Sequence, residues 1–223
     1  MNSLCRVILF TTFLTLQAVS ASADDGLQRS HEDWSPQVAA VLKQARELRF
    51  PTSLLEAKAM EGRAKRVPAV RVAAVLKAHL DSYLKARAAL ADLPGERDPY
   101  KEVLAGEAIG SGASEQAVRA YFKRFPDQKL DRFSLGMDML GMFGELDYPV
   151  EDAMRIFTAG FQSGTLDGEW RYFSRVITLT RSRGLSDDAA AKVAVEVLKE
   201  GGTVRDAMAL LGLTSRGLFE ERK

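Results

Sequence analysis

Residues 144–161 read GELDYPVEDAMRIFTAGF, and this stretch decides the fold. Past Pro149 the apolar side chains fall at Val150, Ala153, Met154, Phe157 and Phe161. Steps of three and four residues put them on one stripe of an amphipathic helix. Proline is tolerated in a first helical turn and breaks a helix interior, so Pro149 marks a start. Gly144 marks the break before it.

The same grammar recurs in both directions. All seven prolines (Pro36, Pro51, Pro68, Pro94, Pro99, Pro126 and Pro149) stand where a helical pattern begins or ends. Further stripes run through Val38, Val41, Leu42, Ala45 and Leu48; Tyr100, Val103, Leu104 and Ala108; Val118, Tyr121, Phe122 and Phe125; and Val204, Ala207, Met208 and Leu211. Strand-like alternation is nearly missing. Tyr172 to Thr180 is rich in β-branched residues, yet Trp170, Phe173, Ile177 and Thr180 keep helical spacing. The sequence therefore predicts an all-α protein with helices over 36–48, 53–66, 68–90, 99–109, 114–125, 131–145, 149–163, 168–183, 186–199 and 203–211. Asp92 to Asp98 (DLPGERD) reads as a loop within one domain.

Val67-Pro68, Ala113-Ser114, Tyr148-Pro149 and Leu185-Ser186 each open a helix, at intervals of 46, 35 and 37 residues. Ser114 and Ser186 are good caps. The apolar residue before each joint is placed to staple onto Val72, Val118, Ala153 or Ala190. Such intervals suit a helix-pair repeat, in which each unit buries its apolar face on its neighbours. An irregular bundle is the other arrangement compatible with this pattern.

The first 23 residues read as an export signal. Arg6 precedes an uncharged apolar run, Val7 to Leu16, and Ala21 and Ala23 are the small residues a signal peptidase reads. The run is half the roughly 20 residues a membrane span requires. Residues 24–34 follow as a flexible lead-in, and 35–223 form the helical domain. The full chain has 223 residues, with 31 Lys+Arg against 30 Asp+Glu. Removing 23 residues takes Arg6 and the single cysteine, Cys5, leaving 200 residues of zero formal charge. An exported chain with no disulfide must be held by its core, and about 200 residues can bury roughly 70% of the unfolded surface. The expected address is periplasmic or secreted.

The chemistry-bearing residues are sparse. Only His31 and His79 are present, and no G-x-S-x-G or H-E-x-x-H occurs. His79, between Leu76 and Tyr83, reads as a packed boundary histidine. Met137 and Met139 point about 200° apart on a helix, so with Met142 they read as core filler rather than a copper site. Gly136, Gly141 and Gly144 in the same helix invite close approach by another helix. No catalytic, cofactor or metal residue set is legible. A hydrolase or lyase acting on envelope material would need an acid of raised pKa in a pocket, with Glu61 and Glu107 as the residues to inspect. Thr203 to Phe219 resembles a DNA-binding helix-turn-helix, with Ala207 at the packing position and Ser215-Arg216 opening a second helix. The zero net charge and the export signal oppose nucleic acid as a partner.

The best-defined local pattern is Leu55 to Pro68, L-x-x-K-A-x-E-G-x-A-K-x-V-P. Lys58, Glu61 and Lys65 share one helix face, and Gly62 permits a close backbone approach. Together with Val67 to Val72, this block resembles an uncharacterised group of exported bacterial helical proteins. The resemblance implies a fold and an address and no reaction. Lys58, Glu61, Gly62 and Lys65 are the candidate partner-binding face. The expected role is a non-enzymatic interaction or scaffold module that meets another envelope protein, with no membrane span once the signal is removed.

Overall fold

The computed structural model describes residues 34–94 and 98–213. Ala21, Ala23, Cys5, His31, Ser215 and Arg216 lie outside the described residues. Those described form ten α-helices and a 3-10 helix, with no strand among them: α1 (Pro36–Glu47), α2 (Ser53–Ala64), α3 (Ala69–Leu90), α4 (Pro99–Gly110), α5 (Glu115–Arg124), α6 (Leu130–Glu145), α7 (Val150–Ser163), the 3-10 helix Gly168–Tyr172, α8 (Phe173–Ser182), α9 (Asp187–Lys199) and α10 (Val204–Leu210). The fold is all-α.

Helix starts follow side-chain chemistry. Ser114 Oγ accepts from the Ala117 amide at 3.1 Å and Ser186 Oγ from the Ala189 amide at 3.2 Å, satisfying donors that have no partner within the helix. Thr203 and Asp206 form a reciprocal capping box. Asp167 caps the 3-10 helix through the Glu169 amide. The single helix expected over 168–183 is thus a 3-10 turn followed by α8.

Helix ends are more uniform than the sequence suggested. After α1, α2, α4, α6, α8, α9 and α10, one residue turns to positive φ. The next sends its amide back to the carbonyl five residues earlier: Phe50 to Ala45, Val67 to Gly62, Ala113 to Ala108, Tyr148 to Phe143, Leu185 to Thr180, Gly202 to Val197 and Leu213 to Met208, all at 2.8–3.0 Å. This is the Schellman closure. Gly112 and Gly184 take the left-handed position, but so do Arg49 (φ 59°), Arg66 (φ 55°) and Asp147 (φ 49°). The break before Pro149 is therefore at Asp147, and Gly144 lies inside α6. The residue before each joint ends one helix before the next begins. Ala113 and Tyr148 are buried in that role, whereas Val67 and Leu185 are each 38% exposed, so the expected staple is loose at those two.

Packing joins alternate helices. α1, α3, α5, α7 and α9 contact one another in succession as one layer. α4, α6, the 3-10 helix with α8, and α10 do the same in a second layer, and α2 leans on α3. This is a two-layer array of helix pairs. Its core lies between the layers and is rich in rings. Tyr121 meets Phe125, Phe133 and Phe157 at centroid distances of 5.0, 5.6 and 5.4 Å. Met137 and Met139 are both buried despite pointing apart, because α6 is covered on several sides. Gly136 receives the Tyr121 phenol, and a Cβ at Gly141 would sit 3.4 Å from the Ala108 carbonyl oxygen. These contacts are the close approaches the glycines suggested.

Candidate functional site

A row of half-buried charged side chains runs from α2 to α4, α6 and the 3-10 helix. On α4, Glu107 stands on the helix face toward α3, where Gly106 lets the backbones close. A Cβ at Gly106 would lie 2.8 Å from Tyr83 Cα. Tyr83 Oη donates to Glu107 Oε1 at 2.5 Å. His79 Nδ1 lies 3.0 Å from the same oxygen, at ion-pair distance but off the line of a well-formed hydrogen bond. Lys58 Nζ comes from α2 to Glu107 Oε2 at 3.2 Å. On α6, Asp138 accepts from Arg171 Nη2 at 2.8 Å and Nε at 3.2 Å. The Lys58, Glu107, His79, Asp138 and Arg171 side chains are between 22 and 32% exposed.

The two acids of the row are pushed apart. Burial alone would raise Glu107, but His79, Lys58 and the Tyr83 hydroxyl outweigh it and hold the carboxyl at about 2. Burial also drives the Tyr83 phenol upward, helped by the Glu107 charge. Asp138 is raised, first by burial and further by the Glu107 charge, against the pull of Arg171. A carboxylate held ionised by Lys58, His79 and the Tyr83 hydroxyl is the reverse of the protonated acid that a general-acid reading needs. Glu61 does not serve either, since its hydrogen bond to Lys65 lowers it and it is exposed.

The partner face expected from the sequence divides. Glu61 and Lys65 form the i, i+4 pair as read, at 2.5 Å. Lys58 leaves that face for Glu107. Gly62 is a contact point, where a Cβ would meet Val72 Cγ2 at 2.7 Å. Asp138 and Arg171 were not singled out from the sequence. The signal lay in Asp138 being the only charged residue between Phe133 and Phe143. A lone acid in a buried stretch wants a partner.

Among the described residues, no three His, Cys, Asp or Glu side chains gather closely enough to hold a metal ion. None of their helices is long and apolar enough to cross a membrane. A depression of about 380 Å³ lies elsewhere, between the end of α9 and α10, lined by Val197, Glu200, Gly202, Asp206 and Leu210 among others, and no member of the row borders it. No protein-family model, no curated protein and no solved structure matches the chain.

The depressed Glu107 carboxyl has a pH consequence. It is ionised in the fold at pH values where the unfolded chain would protonate it, so it adds stability above about 4.5 that fades as pH falls toward about 2. Asp138, raised in the fold, works in the opposite sense. Glu107→Gln should therefore cost on the order of 2 kcal/mol more at pH 5 than at pH 2.5, read from urea unfolding curves. An equal cost at both pH values would disprove the assignment.

Proposed function

We propose that the protein is an exported, non-enzymatic interaction module of the bacterial envelope that takes a partner protein along this charged row. The observation that carries this reading is the row itself. Lys58, Glu107, Asp138 and Arg171 stand on α2, α4, α6 and the 3-10 helix, in the order plus, minus, minus, plus. α4, α6 and the 3-10 helix pack in succession, so at 8–10 Å between axes they extend over about 16–20 Å, with Lys58 reaching in from α2, a length suited to a peptide segment rather than a small metabolite. Half-exposed groups of both signs on rigid helices give register and specificity to a partner of complementary pattern. The resemblance of Leu55 to Pro68 to exported helical proteins supports the address.

A second reading draws on the divergence of Glu107 and Asp138. Two nearby carboxyls pushed in opposite directions are what acid–base chemistry on an envelope substrate uses. A helix-turn-helix role has less support, since α10 is seven residues long.

The test is crosslinking in intact cells. The wild type should recover from the envelope fraction with its start at Asp24 and give a discrete protein adduct. The Lys58→Gln/Arg171→Gln variant should lose at least about tenfold of the adduct while circular dichroism shows it still helical. An adduct indifferent to the variant, or a chain kept whole in the cytosol, would overturn the proposal.

A further inference from the structure

The corner between α2 and α3 exposes a cluster of apolar side chains, and the charged row does not use it. Every residue from Arg63 to Arg71 is exposed. Met60 is 44%, Val67 38%, Val70 66% and Val75 46% exposed. From Gly62 to Leu80 the chain carries Arg63, Lys65, Arg66, Arg71 and Lys77 and no acid. Among the described residues, Arg66, Arg71 and Lys77 form no ion pair with any carboxylate, and Lys65 is answered by Glu61. At 100° per residue, Lys77, Val70, Ala74, Ala78, Arg71 and Val75 fall within an arc of about 160° on the outer face of α3. Asp81 ends the stripe one turn further along.

We infer that this corner docks on an anionic phospholipid bilayer. Charge complementarity points there: three cations without a carboxylate partner rim a cluster of exposed aliphatic side chains, the pattern of a helix that rests on a lipid surface. A soluble polyanion would satisfy the cations and leave Met60, Val67, Val70 and Val75 in water. A protein partner is favoured by aromatic anchors in shaped pockets, and the chain from Arg63 to Val75 contains no aromatic residue. A fluid headgroup layer requires no such shape. Val67, Val70 and Val75 would enter the headgroup boundary, with Arg66, Arg71 and Lys77 against the phosphates.

The experiment is vesicle sedimentation with the chain from Asp24 onward, which omits the apolar run 7–16 and keeps the whole helical unit that begins at Ser35. The protein should sediment with vesicles of one part phosphatidylglycerol to two parts phosphatidylcholine and remain in solution with phosphatidylcholine alone. Raising the salt from about 0.1 M to about 0.5 M should release it. Arg66→Glu/Arg71→Glu/Lys77→Glu should weaken partitioning by roughly a hundredfold, at about fivefold for each cation removed. Val70→Ser/Val75→Ser, which keeps every charge, should weaken it about tenfold. Circular dichroism checks that both variants remain helical. The inference fails if the wild type ignores anionic vesicles, if either variant sediments unchanged, or if poly-glutamate of equal charge binds as tightly, which would make the corner a docking site for acidic protein instead.

Discussion

Replacing Arg87 by Met should destabilise the protein by about 3–5 kcal/mol, the usual cost of leaving a buried charge without its partner. Arg87 on α3 makes three contacts at once. Its Nε lies 2.8 Å from Glu102 Oε2 on α4, and its Nη1 donates to the Leu48 carbonyl oxygen at 2.8 Å. Its guanidinium also stands 3.6 Å over the Phe50 ring. Leu48 and Phe50 belong to the turn that closes α1, so one side chain ties three helices. Glu102 is only 5% exposed. Met can fill the volume and cover Phe50, but it offers nothing to the carboxylate. The single variant therefore measures the stranded charge more than lost packing. Arg87→Met/Glu102→Gln should recover at least half of the loss, because a neutral amide is cheaper to bury than a carboxylate. Urea unfolding with an unchanged slope is the measurement. A single-variant cost under about 1 kcal/mol would show Glu102 to be solvated in solution.

That clamp also shows what one sequence can and cannot disclose. Helix positions follow from local chemistry, namely proline placement, serine caps and apolar stripes, and the structure keeps them within a residue or two. Even the β-branched Tyr172 to Thr180 stretch is helical from Phe173, with Phe173, Ile177 and Thr180 buried as their spacing required. The closures at Arg49, Arg66 and Asp147 were not legible, since a non-glycine residue at positive φ carries no compositional mark. Each is held by the helix end it closes, against a local cost of about 1–2 kcal/mol. The charged row was half legible. Lys58 and Glu107 were both singled out, for different reasons, but their pairing depends on how α2 lies against α4. Asp138 and Arg171 meet across 33 residues. Contacts between helices distant in the chain leave no periodicity to read.

Gly144→Ala should cost more than about 3 kcal/mol, at the upper end for an overpacked contact. A Cβ at this position would meet backbone rather than a side chain that can turn aside. It would fall against the Gly112 carbonyl group and 2.5 Å from the Ala113 nitrogen. Gly112 cannot swing away cheaply. Its φ is +117°, and the Ala113 amide after it is bonded to the Ala108 carbonyl oxygen at 2.9 Å. Relief must come from moving α6 off α4, which would also open the seam where Gly141 faces Ala108. Gly110→Ala is the control. Its Cβ would rest 3.5 Å from Ser82 Oγ, an ordinary contact, so the higher helix propensity of alanine should make it neutral or stabilising by up to about 1 kcal/mol. Thermal unfolding of the two variants beside wild type decides the matter, and failure of Gly144→Ala to fold is the extreme of the expected result. Equal midpoints for the two variants would refute the close seam. The same seam sets how near Glu107 on α4 lies to Asp138 on α6. A Gly144→Ala protein that does fold should therefore leave Asp138 raised chiefly by burial, with the smaller upward push of the Glu107 charge reduced because that charge would stand further off.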